Sequence, residues 1–185
     1  MQTQLLLLRL DKDPALLGSS LRKSIERIQS STKHLDTLVK EFLDFSREQR
    51  LNLREVRLPE LLEELVANWQ LLAAHQNIRV TGEFTDDLPP LRLDVEKIRR
   101  VFDNLIRNAV EAIGQGPGSV AVRASRSEVG RIDITVEDTG PGIPPEIEPF
   151  RLFETTKEHG TGLGLAIARQ FVEAHGGSRS EEHTS

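Results

Sequence analysis

The chain has 185 residues, 24 Lys and Arg against 29 Asp and Glu, and a formal net charge of −5. That is room for one ordinary domain with an appendage, and the wrong sign for holding nucleic acid by bulk attraction. There is no cysteine, which excludes a disulfide framework, a thiolate nucleophile and a cysteine zinc site.

The longest apolar run near the start, Leu5 to Leu8, falls far short of the roughly 18 to 20 residues of a membrane span. Met1 to Asp13 lacks the length and cleavage site of a signal peptide. Gln2 to Leu10 reads as a short helix, and Asp11-Lys12-Asp13 as the turn into a longer one with Pro14 near its start. From Leu21 onward apolar or small residues recur at 21, 25, 28, 32, 35, 39, 42 and 46, in alternating steps of four and three. That spacing is a heptad seam. Leu38, Leu43 and Phe45 widen the stripe, so the helix is expected to pack within a helical hairpin; a lone amphipathic linker helix is the alternative.

Leu58 to His75 has the apolar face of a helix (Leu61, Leu62, Leu65, Trp69, Leu72), and Ile78 to Phe84 alternates as a strand does. Leu88-Pro89-Pro90-Leu91 interrupts the chain. Asp94 to Ile113 is again helical, with Ile98, Val101, Phe102, Leu105, Ile106 and Ala109 inward, closed by Gly114-Gln115-Gly116-Pro117-Gly118. Two alternating strands, Val120 to Ala124 and Ile132 to Val136, flank a turn at Glu128-Val129-Gly130. A last helix runs from Gly162 to His175. The mixture predicts an α+β sandwich with helices on one face of a sheet.

Three stretches hold residue types suited to chemistry. Asn104 and Asn108 are four apart, stacked on one helix face, and interrupt its apolar pattern. Amide oxygens suit a hard cation such as Mg²⁺, which takes one or two protein ligands and completes its shell with water and phosphates. Paired asparagines also occur as plain polar surface. Asp138-Thr139-Gly140-Pro141-Gly142 follows a strand directly; its carboxylate can accept from an exocyclic amine while the glycines let a planar ring approach, or the segment is merely a turn. Gly160-Thr161-Gly162-Leu163-Gly164-Leu165 opens a helix, as a phosphate-holding backbone does. Before it, Thr155, Thr156 and Lys157 are placed as a mobile cover would place hydroxyls and a cation.

In this order, together with Ser31 to Leu35 and Leu43 to Arg47 on the seam helix and Phe150 to Lys157 before the glycines, these motifs resemble the histidine kinases of two-component signalling. Those kinases belong to the wider Bergerat-fold ATP-binding proteins. The resemblance covers residues 11 to 178. It implies a Bergerat-fold sandwich, helices on one face of a mixed sheet, preceded by a helical dimerisation hairpin. It implies ATP and Mg²⁺ as cofactors, with Asp138 reading the adenine amine and Asn108, helped by Asn104, holding Mg²⁺. Gly140, Gly142, Thr156, Lys157, Gly160, Thr161, Gly162, Leu163 and Gly164 complete the implied ATP site. Phe150 and Phe153 are expected to pack the lid, whose span from Gly142 to Gly160 is short for the family. Related ATPases such as gyrase place a water-activating Glu where this chain has Asn104; an amide cannot be that base, which favours phosphoryl transfer over hydrolysis.

The chain departs from the family at two places. None of its five histidines fits the phosphoacceptor motif, in which an acidic residue follows directly; His34, on the seam helix, is followed by Leu35. No catalytic residue is therefore assigned, and the acceptor is expected to be encoded upstream of Met1. The family continues past Ser178 into two further strands, whereas Arg179 to Ser185 resemble the translation of a sequencing adapter. The expected organisation is residues 1–52 as part of a dimerisation hairpin, 53–178 as an ATP-binding domain without its terminal strands, and 179–185 as extraneous. The implied function is the ATP-binding catalytic portion of a sensor histidine kinase, passing the γ-phosphoryl to a histidine and thence to a response regulator. The alternatives are a non-catalytic nucleotide-binding and dimerisation module, or a Bergerat-fold ATPase. The expected partners are a second copy and a receiver domain, with no nucleic acid and no membrane contact by this chain. The expected location is the cytoplasm, including in a parent anchored to the inner membrane upstream of this part.

Overall fold

The computed structural model describes residues 19–46, 50–144, 147–155, 157 and 160–179. The helix expected over Gln2 to Leu10, and Thr156, lie outside them. The elements in order are α1 (Ser19–Ser46), β1 (Arg54–Val56), α2 (Leu58–Ala73), β2 (Ile78–Phe84), β3 (Leu91–Leu93), α3 (Val95–Ile113), β4 (Gly118–Arg126), β5 (Ile132–Asp138) and α4 (Gly164–Ala174).

Helix α2 begins where a proline near its first position costs nothing. It buries Leu58, Leu61, Leu62, Leu65 and Val66, the i, i+3, i+4, i+7, i+8 stripe of an amphipathic helix. Leu72, expected inward, is exposed, and Ala73 takes the core position. The buried stripe drifts across the helix from Leu61 toward Val66 and Ala73, leaving Leu72 beyond its edge. The helix then tightens into a 3₁₀ turn, Ala74–Gln76, closed by Asn77 in the left-handed region at φ 59°, so His75 lies just past the α-helix rather than within it.

Strands β2, β4 and β5 form a mixed sheet in the order β2-β4-β5, β2 parallel and β5 antiparallel to β4. Period-2 alternation turns Val120, Val122 and Ala124 of β4 inward. They meet Ile78 and Val80 of β2 and the apolar faces of α2 and α3. On the outer face Arg123 reaches both Glu83 of β2 and Glu137 of β5. Strands β1 and β3 pair antiparallel as a separate ribbon, with Glu55 opposite Arg92. Each has three residues, too few for alternation to be read, and the expected break at Leu88 to Leu91 ends in β3.

A second apolar cluster joins α4 to the rest. Leu163, Ile167, Ala168 and Phe171 pack with Val101 of α3, and Leu38 and Phe45 of α1 close over them. The Gln170 amide donates to the Phe45 carbonyl at 3.2 Å. Burying a ring the size of Phe171 contributes about 1.5–3 kcal/mol, and Lys97 and Arg100 lie over its faces. The seam positions Ile28, Leu35, Val39 and Phe42 of α1 are about half exposed or more. Helix α1 thus uses Leu38 and Phe45 for docking on α4, while its seam positions Ile28, Leu35, Val39 and Phe42 stay exposed and Ile25 is buried.

Asp94 ties three segments together. As the N-cap of α3 it accepts from the Lys97 amide at 3.2 Å, and it also accepts from the Asn52 amide at 2.9 Å. Its own N–H donates to His175 Nε2 at 2.9 Å, while His175 Nδ1–H donates to the Phe171 carbonyl at 2.7 Å. Burial pushes the Asp94 carboxyl up, but the Asn52 and Lys97 amides and the Lys97 ammonium outweigh it and hold the group below its ordinary value.

Candidate functional site

Helix α3 is the spine of the site. Asn104, Asn108 and Ala112 are each four residues apart and stack along one face, and each meets a different segment. The Asn104 amide nitrogen donates to the Gly164 carbonyl at 3.0 Å, at the start of α4. The Asn108 amide oxygen accepts from Lys157 Nζ at 2.9 Å. A Cβ on Gly140 would lie 3.3 Å from the Ala112 Cβ, so the Asp138 turn abuts the last turn of the helix. Two of these three segments, the Asp138 turn and the Gly160–Gly164 stretch, are the predicted glycine-rich motifs, and the third carries Lys157. They converge on one helix face although the Asp138 turn lies some way before the other two in the chain.

Each segment is held by its own local chemistry. Asp138, exposed at the end of β5, accepts from the Gly140 amide at 2.8 Å, an Asx turn that sets the direction of the carboxylate. Thr139 locks the turn to β4: its hydroxyl accepts from the Ser119 amide at 2.9 Å and its amide donates to the Ser119 carbonyl at 3.1 Å. Gly142 has φ +75° and open space around its missing Cβ. Gly162, at φ +65°, lies against backbone: a Cβ there would come within 2.4 Å of the Phe153 carbonyl carbon. Its carbonyl accepts from the Phe153 amide at 3.0 Å, pinning the two ends of the lid together. The Thr161 hydroxyl accepts from the Leu163 amide at 3.3 Å, and Leu163 is fully buried. The Gly160 amide donates to the Lys157 carbonyl at 3.1 Å, and Thr155 accepts from the Lys157 amide at 3.1 Å.

Lid packing differs from expectation at one aromatic. Phe153 is exposed and sits at φ +65°, because the close approach of Gly162 fixes its backbone and leaves the ring outside. Phe150 instead stacks under the Arg179 guanidinium, 3.1 Å from its ring centre.

Two further residues belong to the arrangement. Arg107 donates to the Asn104 amide oxygen, so both ends of that amide are engaged and its orientation is set. A glutamate at this position has no donor to offer the Gly164 carbonyl. Glu111 forms an ion pair with Lys157. Both lie three residues after an asparagine of the pair, the spacing that puts them on the same helix flank, which is the signal by which they could have been found.

The donor set fits a magnesium-assisted nucleotide. Among the described residues no cluster of three or more His, Asp or Glu could hold a metal by itself. The Asn108 amide oxygen, to which Lys157 Nζ donates, is a neutral oxygen donor of the kind a hard cation takes. No helix among the described residues is long and apolar enough to cross a membrane.

Residues 93–185 match the family described as histidine kinase-, DNA gyrase B-, and HSP90-like ATPase. The sensor histidine kinase ZraS of Salmonella typhimurium is 31% identical over 170 residues, covering 91% of this chain and 36% of that protein. Full-length ShkA, solved in complex with AMPPNP, superposes with a TM-score of 0.70 at 29% identity, over 89% of this chain and 36% of that one. The histidine kinase ThkA, solved in complex with the response regulator protein TrrA, gives a TM-score of 0.67 at 27% identity, over 95% of this chain and 50% of that one. This chain therefore spans about a third of the length of the curated relative ZraS.

Proposed function

Since the chain belongs to the histidine kinase-, DNA gyrase B-, and HSP90-like ATPase family, on its sensor histidine kinase branch, we propose that it is the ATP-binding catalytic portion of a kinase acting on a histidine. The whole protein then moves the γ-phosphoryl of Mg-ATP to that histidine and supplies it to an aspartate of a response-regulator receiver domain. The observation that carries this reading is the convergence on one face of α3: Asn104 on the Gly164 end of α4, Asn108 on the lid lysine, and Ala112 on the Asp138 turn.

Each residue has a task in that reaction. Asp138, oriented by its Asx turn, accepts from the adenine amine, and Gly140 and Gly142 leave room for the ring. The backbone from Gly160 through Thr161, Gly162, Leu163 and Gly164 receives phosphate oxygens at the positive end of α4. Thr156 and Lys157 close on the phosphates from the lid. Asn108 would hold Mg²⁺ through its amide oxygen, and the ion would supply positive charge to the phosphates during transfer. Asn104 holds Gly164 in place and has no lone pair basic enough to activate water, which separates this site from the hydrolytic members.

The test is Asn108→Ala: Mg-dependent nucleotide binding is expected to disappear while the circular dichroism spectrum and melting transition are retained. Unchanged affinity refutes the metal assignment. The exposed heptad seam of α1 supports homodimerisation. Light scattering at micromolar concentration is expected to give twice the chain mass, and a monomer there refutes it. The proposed compartment is the cytoplasm, where ATP is supplied.

A further inference from the structure

The lid lysine is engaged with helix α3. Lys157 bridges two residues of α3, donating to the Asn108 amide oxygen at 2.9 Å and pairing with the Glu111 carboxylate. The two acceptors are three residues apart on one flank of the helix, so one ammonium reaches both. The ammonium thus stands on the oxygen assigned above to the metal, and Glu111 supplies the charge that keeps it there. Gly160 is fixed to the same residue through the Lys157 carbonyl, so the latch holds the lid's hinge side as well as its lysine.

We propose that Glu111 is a positioning residue that latches the lid onto the polar face of α3 through Lys157, so that Mg-nucleotide binds by displacing the lysine from Asn108. The proposal rests on the nucleotide-site reading above. The displacement is an exchange of cations at one oxygen. Lys157 would leave Asn108 and Glu111 for the incoming phosphates, and the Asn108 oxygen would become open to Mg²⁺. The free protein spends part of its population with the metal oxygen occupied, and apparent affinity is lowered by that fraction. Both partners are partly exposed, with side chains 37% and 46% accessible, so the latch is weak and sensitive to salt. A weak latch suits a lid that must open on every nucleotide exchange.

The experiment uses the full chain and four variants of one cycle: wild type, Glu111→Gln, Lys157→Met and the double substitution. Affinity for Mg-ATP and Mg-ADP is measured by displacement of a fluorescent nucleotide. Protection of the Gly160 amide is measured by hydrogen exchange without nucleotide. Glu111→Gln is expected to tighten Mg-ATP by about 1.5- to 5-fold, the range spanned by exposed ion pairs, and to speed exchange at Gly160. The gain is expected to vanish in the Lys157→Met background and to shrink at high salt. A gain that persists in that background reports only the loss of a negative charge near the phosphates, and overturns the latch. Weaker binding in Glu111→Gln assigns the carboxylate to the metal instead, and overturns it equally. If the wild type binds neither nucleotide, the nucleotide-site reading fails. Exchange at Gly160 then still decides the latch, and an unchanged rate in Glu111→Gln refutes it.

Discussion

Replacing Gly164 by alanine separates stability from nucleotide binding. Gly164 is the first residue of α4, and its φ is not positive. A Cβ there would meet Asn104 Cγ and Oδ1 at 3.5 Å each, which is ordinary contact. Alanine is favoured over glycine by up to about 1 kcal/mol in a helix interior, and at the first helical position about half of that is expected. For a domain of this size 0.5 kcal/mol corresponds to roughly 1–3 °C in melting temperature, so the apo variant should melt slightly higher than wild type. The same methyl would stand against Asn104 at the end of α4, which is proposed to receive phosphate oxygens. A loss of at least about tenfold in Mg-ATP affinity, or about 1.4 kcal/mol, is expected. Thermal unfolding without nucleotide and displacement of a fluorescent nucleotide give the two numbers independently. A lower melting temperature refutes the packing argument at Asn104. A higher one with unchanged affinity removes Gly164 from the phosphate site.

Gly162→Ala is expected to lower the melting temperature instead, because its left-handed backbone costs about 1–2 kcal/mol for alanine and its Cβ collides with the Phe153 backbone. Hydrogen exchange at the Phe153 amide should accelerate and nucleotide affinity should fall. Protection equal to wild type would contradict the contact. Asp94→Asn keeps the N-cap but removes the charge. The folded carboxyl of Asp94 titrates below its unfolded value of about 3.9, so its contribution is present above that pH and lost as pH falls through the folded value. The gap in melting temperature between wild type and variant should narrow from pH 6 to pH 3, and a constant gap would show that the charge contributes nothing.

The parts of the fold that were readable carry long periodic signals. Helix α3 shows its apolar stripe over five turns, and the asparagines stand out because they break it. Strands β4 and β5 were legible in their cores, and the structure extends each by two residues or more, through positions such as Gly118 and Asp138 whose side chains give no strand signal. Strands β1 and β3 had no period to read. The site was legible where glycine is required by geometry, as at Gly162, and illegible where a surface charge acquires its partner through the fold. Glu111 reads as a solvated helix residue, and its lysine arrives from a loop 46 residues later. His175 reads as an ordinary helix-end histidine, yet its ring joins α4 to the Asp94 amide 81 residues away.

The parallel pairing of β2 with β4 has a kinetic meaning. Parallel neighbours cannot be joined by a hairpin, and here the connection between them contains β3 and all of α3. The helix that carries Asn104 and Asn108 is therefore also the crossover whose placement closes the sheet. Its turns can form early and locally, but the segments opposite its polar face belong to chain that follows β4. The binding groove is thus among the last features to be completed, after the least local and slowest pairing of the fold. A ligand that occupies the groove selects chains that have finished folding and stabilises them by mass action, so nucleotide concentration raises the folded population as well as the occupancy of the site.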